Sequence, residues 1–218
     1  MNKYLPLLEK KIANLFAIDS SGHDINHLRR TLNLAQKIQK KEGGDFLVIS
    51  TAAFLHDIHR ILEKETKKFC HPKESLSIIE KLLSEVNFPK DKIKNVLHCI
   101  EFHEEYGFSD VGKTTKDLET LILQDADNLD AIGAIGIGRT FSYGGAHGLN
   151  MWLPEKPFDR KTFNESIEDP STIHHFYSKL FKLKDNMNTK TGKKMALKRH
   201  KFMKLFLNHF FKEWKGEL

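Results

Sequence analysis

Cysteine is scarce in this 218-residue chain, where only Cys70 and Cys99 are present. So few thiols exclude a disulfide-stapled secreted scaffold and fit a reducing compartment, either as two semi-buried thiols or as one bridge. Long apolar runs are missing as well. The most apolar stretch, Phe46 to Leu55, is about half the length that a membrane-spanning helix needs. At the amino terminus no apolar stretch is sustained, and Lys10-Lys11 interrupt the only candidate for a signal sequence. The expectation is a cytoplasmic protein with no membrane partner. Internal repeats and low-complexity tracts are absent, and the β-branched alternation that marks strands is rare.

What is present is the material of a packed core. Sixteen Phe, 4 Tyr and 2 Trp within a 39% hydrophobic composition exclude a disordered chain. A length near 200 residues favours one core, or a core with one appendage, burying roughly 70% of the unfolded surface. The net charge of +6 is unevenly placed. From Ser171 onward 12 Lys or Arg face 3 acids, whereas the first 170 residues carry 23 basic and 26 acidic residues. Such a basic tail attracts polyanions, among them nucleotide phosphates and nucleic acid, unless it is only the solvated face of an amphipathic helix.

Apolar residues recur at helical spacing in segments 24–42, 45–65, 71–86, 89–105, 115–141, 171–184 and 192–214, which predicts an all-α fold. Ile25, Leu28, Leu32, Ala35 and Ile38 form one stripe, closed by Gly43-Gly44. Pro72 and Pro89 sit where a first helical turn accepts proline. Between Thr140 and Ser171 the periodicity lapses, and so long an irregular stretch reads as a lid, a binding loop or disorder. The last segment gathers Met195, Phe202, Met203, Phe206, Phe210 and Phe211 and predicts a helix docked on its own domain. Such a stripe less often makes a dimer or meets a membrane.

Twelve histidines are many for this length, and several fall beside acids. In Ala52-Ala53-Phe54-Leu55-His56-Asp57-Ile58-His59-Arg60 an apolar run meets an adjacent imidazole and carboxylate, groups that are costly to bury unless paired or metal-bound. Neighbouring helical residues point about 100° apart, yet both can reach an ion lying off the helix between them. His27 lies on the preceding helix. Downstream, Asp125, Asp127 and Asp130 are set between Leu121-Ile122-Leu123 and Ala131-Ile132, and they repel one another unless cations or hydrogen bonds compensate. Imidazole with carboxylate suits a divalent ion such as Mn, Mg, Co, Ni, Fe or Zn. Water on such an ion loses its proton near neutral pH, so hydrolysis is the natural reaction.

These residues, in this order and on helices, resemble the HD-domain superfamily of metal-dependent phosphohydrolases, whose pattern is a His, then His-Asp, then a distant Asp. The match covers about residues 20–130. Asp125 to Phe141, Tyr143-Gly144-Gly145, Met187 to Thr189 and Arg199 to Met203 look like one bacterial-type subgroup and extend the likeness over most of the chain. The resemblance implies an all-α, compact helical bundle with an additional C-terminal helical region. A metal-binding core would span 1–140, an irregular loop or lid 141–170, and basic helices packed on the core 171–218.

Carried over residue by residue, the resemblance implies His27, His56, Asp57 and Asp127 as metal ligands. Asp127 is selected because the family's last motif reads Ala-Asp-x-Leu, with Asp125 the alternative; Asp125 and Asp130 otherwise support the ligands or a second ion. His71 and His103 match positions that hold extra histidines in two-metal members, so they are candidates for a second ion or a phosphate oxygen, as well as for capping roles. Many phosphatases of the family place a Glu or Asp shortly after the His-Asp pair, where this chain has His59 and Arg60. Glu63, Glu65 and His59 are therefore all open as general base.

For phosphate recognition the candidates are Arg139, Lys179, Lys184 and Arg30, with Arg29 beside it, since guanidinium matches phosphate oxygens. Gly133, Gly136 and Gly138 fit no phosphate-loop spacing and read as close-packing positions. The expected function is metal-dependent hydrolysis of a nucleotide or related small phosphate ester, with release of phosphate or pyrophosphate. Its alternative is a non-catalytic module that binds metal or nucleotide and touches nucleic acid through the basic tail. A homodimer is a possible assembly.

Overall fold

The computed structural model describes residues 2–16, 22–109, 112, 114–158 and 169–218, and every regular element among them is helical. In chain order these are α1 (Leu5–Ile12), α2 (Ile25–Glu42), α3 (Phe46–Leu55), α4 (Ile58–Thr66), α5 (Leu76–Glu85), α6 (Lys90–Glu101), α7 (Leu118–Asp130) and α8 (Gly133–Ala146). There follow α9 (Thr172–His175), a π-helical turn at Phe176–Leu180, α10 (Phe181–Asn186) and α11 (Lys190–Trp214). α1 has no counterpart among the predicted segments.

Burial explains the arrangement. Every residue of α3 from Val48 to Leu55 is buried, so this helix is the centre of the bundle. α2 packs on α3 and α7, and α3 on α6 and α7. Asp24 caps α2 by accepting from the His27 amide at 2.9 Å, and Asp45 caps α3 through the Leu47 and Val48 amides. Both caps fix helix starts that aim functional side chains inward.

Two predicted helices are broken. Segment 45–65 divides into α3 and α4, with His56-Asp57 in the turn between and Asp57 at φ −91°, ψ 13°. The turn lets both side chains face α2 and α7 instead of diverging along one helix. Segment 115–141 divides at Ala131-Ile132, because Gly133 takes φ +84° under the Arg199 side chain, whose Cγ would lie 2.9 Å from a Cβ there.

Beyond that turn α8 runs to Ala146, so the stretch expected to be irregular from residue 141 begins as helix and includes Tyr143, Gly144 and Gly145. The glycine there serves packing: a Cβ on Gly144 would sit 2.2 Å from Thr172 Oγ1. Residues 159–168, within the expected lid, lie outside the described residues.

α11 buries Ala196, Met203 and Leu207 against the core, and Phe206 and Phe210 pack on Phe141. Phe202, expected on the same stripe, is instead 48% exposed. No helix among the described residues is long and apolar enough to cross a membrane.

The start of α11 is held by Asp125. Its buried carboxylate accepts from the Asn188 amide (2.7 Å), the Asn188 Nδ2 (3.0 Å), the Thr189 amide (2.8 Å) and the Thr189 hydroxyl (2.7 Å). Asp125→Ala leaves these donors without that acceptor, so urea denaturation is expected to show a loss of about 3 kcal/mol. Metal content should be unchanged in the same variant. Loss of metal with stability intact would return Asp125 to the ligand set.

Candidate metal centre

Four side chains from three places in the fold converge. His27 comes from α2, His56 and Asp57 from the α3–α4 turn, and Asp127 from α7. His27 Nε2 lies 3.1 Å from His56 Nε2, 3.2 Å from Asp57 Oδ2 and 3.4 Å from Asp127 Oδ1. His56 Nε2 lies 3.6 Å from an oxygen of each aspartate. The two imidazoles are fully buried and Asp57 nearly so, whereas the Asp127 side chain is 19% exposed and marks the open edge.

Hydrogen bonding fixes what these nitrogens can do. His56 Nδ1 donates to the Ala53 carbonyl at 3.0 Å, and His27 Nδ1 donates to Asp130 at 2.7 Å. Carbonyls and carboxylates only accept, so in neutral imidazoles both Nε2 atoms carry lone pairs, and these face each other. With two carboxylates alongside, the atoms that meet are all acceptors. Such a set fits a divalent ion, or in its place a proton.

A proton is what the metal-free chain takes up. Burial works against a charged His56, but Asp57 and Asp127 raise its pKa to about 9. Burial likewise opposes ionised Asp57 and Asp127, yet the His56 charge and hydrogen bonds hold both far below the ordinary carboxylate range. Ion binding needs neutral His56, so each ion entering near neutral pH should displace about one proton. Affinity is then expected to rise about tenfold per pH unit until His56 loses its proton in the free chain. Calorimetry in buffers of different protonation enthalpy measures that release; a pH-independent affinity would contradict it.

Asp130 is a support and not a donor to the centre. Besides His27, it accepts from Arg30 Nε (2.8 Å), Arg30 NH2 (3.0 Å) and Arg139 NH1 (3.0 Å). Both arginines expected to bind phosphate are thus turned onto one carboxylate. Lys179 and Lys184 lie in the segment after the expected lid, with Lys179 Nζ 4.6 Å above the Tyr106 ring and Lys184 paired with Asp185 at 2.8 Å.

Other expected residues take different places. Glu63 accepts from Arg60 NH1 and from the Cys70 amide at 3.1 Å, so it braces Arg60. His71 is exposed and set edge-on to Phe69, apart from the converging donors. His103 does join, with its ring 5.0 Å from His56; burial lowers its pKa to about 4. His59 lies in the first turn of α4, buried with its ring 5.8 Å from that of His103.

Two members were not singled out by sequence. His23 donates from Nδ1 to Asp57 Oδ2 at 2.8 Å, and burial lowers its pKa to about 4 against the pull of Asp57. Glu104 pairs with Arg60 and lies 3.5 Å from His59 Nε2. The signal for Glu104 was its place beside His103, the same imidazole–carboxylate adjacency as His56-Asp57.

A family model for the HD domain matches residues 24–132. YpgQ, an uncharacterized protein of Bacillus subtilis strain 168, is 34% identical over 208 residues, which cover 94% of this chain and 91% of YpgQ. Among solved structures, a Lactobacillus plantarum protein superposes with a TM-score of 0.83 at 32% identity over 99% of each chain. Bacillus subtilis YpgQ in complex with ADP gives 0.72 at 29% identity, covering 95% of this chain and 96% of YpgQ. An HD-superfamily hydrolase of Bacillus thuringiensis gives 0.71 at 33% identity, covering 98% and 97%. By matched residues, near-complete coverage and shared helical fold, this chain belongs to the HD-domain family.

Proposed function

We propose that the chain is a cytoplasmic metal-dependent phosphohydrolase acting on a nucleotide or related small phosphate ester, releasing phosphate or pyrophosphate. The observation that carries this reading is the convergence of His27, His56, Asp57 and Asp127, with the Nε2 atoms of the two imidazoles 3.1 Å apart and their Nδ1 atoms engaged elsewhere. A divalent ion held by these four groups supplies Lewis acidity and a water of lowered pKa. Asp130 keeps His27 in the tautomer that presents Nε2. At the exposed edge, Arg139 NH2 lies 3.5 Å from His23 Nε2, and the guanidinium groups of Arg30 and Arg139, paired with Asp130, are of the kind suited to phosphate oxygens. The crystal complex of YpgQ with ADP supports a nucleotide as substrate.

The test is a metal-stripped sample restored singly with Mn, Mg, Co, Ni, Fe or Zn and given nucleoside mono-, di- and triphosphates, with products separated by chromatography. Metal-dependent release of phosphate or pyrophosphate is the expected result. Absence of turnover with every ion and nucleotide would sink it, and salt-sensitive retention on nucleic acid would then favour a binding module.

A further inference from the structure

Arg139, Tyr143 and His147 stand in successive turns along one side of α8, which His147 caps. Arg139 reaches the edge of the metal centre, where NH1 meets Asp130 at 3.0 Å and NH2 lies 3.5 Å from His23 Nε2. One turn further along, Tyr143 is 42% exposed, too much for a core tyrosine. Its ring nevertheless has a fixed backing: the His147 imidazole lies flat against one face, with centroids 3.9 Å apart and planes inclined by 18°. His147 is held in turn, since its Nδ1 donates to the Tyr143 carbonyl at 2.9 Å. A ring buttressed in this way offers its other face as a flat, rigid apolar surface. The helix beside it is bare. A Cβ on Gly138 or Gly145 would meet nothing within 4 Å, so these two glycines, unlike Gly136 and Gly144, are not there for packing. Glycine weakens a helix interior, and with no packing reason it leaves the backbone open to close approach by another molecule.

We propose that Tyr143, backed by His147, is a stacking platform for the base of a nucleoside phosphate whose phosphates lie at Arg139 and the metal centre. The proposal rests on the phosphohydrolase reading above and narrows its substrate from small phosphate esters in general to those that carry an aromatic ring. Arg139 and Tyr143 start one helical turn, about 5.4 Å, apart, and the Arg139 side chain adds its own reach. That interval suits a ribose with its first phosphate.

Stacking reads the face of a base and not its edge, and every base has such a face. Discrimination among the four bases is therefore weak, with purines held a few-fold more tightly than pyrimidines because they cover more of the Tyr143 ring. Phosphate esters that lack a ring bind through the phosphate end alone.

The chain is titrated calorimetrically in the presence of Mn with ADP and with inorganic pyrophosphate, which has no base, and turnover of ATP is compared with that of inorganic tripolyphosphate. Tyr143→Ala is expected to weaken ADP about tenfold and to leave pyrophosphate within about twofold. The same loss should appear in KM for ATP more than in kcat, and not with tripolyphosphate. Tyr143→Phe keeps the ring face and should bring ADP back to within about threefold of wild type, whereas His147→Ala, which removes the backing, should cost about threefold. Equal ADP affinity in wild type and in a Tyr143→Ala shown by circular dichroism to be folded overturns the proposal. A loss shared equally by ADP and pyrophosphate does so too, as does failure of ADP to bind the wild type. Failure of the phosphohydrolase reading looks different: ADP binding that depends on Tyr143, with no turnover by any ion, would remove hydrolysis and leave the platform in place.

Discussion

Asp57→Ala is expected to lower kcat/KM at least a thousandfold, roughly 4 kcal/mol of transition-state stabilisation, and to remove bound metal at the same time. Among the described residues no other carboxylate touches so many members of the centre: Asp57 reaches His23 Nδ1 at 2.8 Å, His27 Nε2 at 3.2 Å and His56 Nε2 at 3.6 Å. Its donor atoms also lie within 4.8 Å of those of His59 and Glu104. Asp57→Asn keeps the shape and hydrogen-bonding capacity but not the charge, and should lose nearly as much. Metal content by elemental analysis, read beside steady-state kinetics with Mn, checks both effects. Turnover above about a tenth of wild type in a metal-depleted Asp57→Ala would show that the chemistry is elsewhere.

Asp130→Ala carries the second large effect, expressed first in stability. The carboxylate is 1% exposed and binds His27, Arg30 and Arg139, so its removal strands two guanidinium groups and an imidazole. Breaking a buried ion pair from one side costs about 3–5 kcal/mol, and the Arg30 side chain, 32% exposed, recovers part of that through water. A loss of about 3 kcal/mol in urea denaturation of the metal-free chain at pH 7 is the expectation. Burial alone would raise the Asp130 pKa, but the bonds from His27 and Arg30 hold it well below the ordinary carboxylate range. A depressed folded-state pKa stabilises fully above the unfolded value of about 4 and loses that contribution as pH falls through the folded value. The wild-type advantage over Asp130→Ala should therefore be complete at pH 7 and shrink below about pH 4. Metal affinity should fall about 10- to 100-fold as well, because His27 loses the partner that fixes its tautomer. A folded variant less than about 1 kcal/mol weaker would refute the supporting role.

Periodicity exposed most helices because their buried faces repeat along the local sequence. Leu28, Ala35 and Ile38 are buried in α2 as the stripe requires, and Gly43 ends that helix at φ +89°. Breaks were harder to see: His56-Asp57 interrupts a segment whose apolar residues continue on both sides, and Gly144 resembles a loop residue until Thr172 is packed on it. The resemblance supplied His27, His56, Asp57 and Asp127 because their order along the chain is itself the signal. Composition alone could not separate Asp125 from Asp127. Two residues apart on a helix point about 200° apart, and only the approach of Asn188 and Thr189 shows which face belongs to which neighbour. His23 and Glu104 depend on the same long-range meeting of helices.

α7 is gripped on opposite sides, by the imidazoles at Asp127 and by the first turn of α11 at Asp125. Loosening either grip frees the same rod. Metal loading should consequently slow amide hydrogen exchange near Thr189 and in the opening turn of α11, far along the sequence from every ligand, and strip-down should quicken it. The carboxyl-terminal helix thus becomes a mechanical gauge of whether the centre is filled.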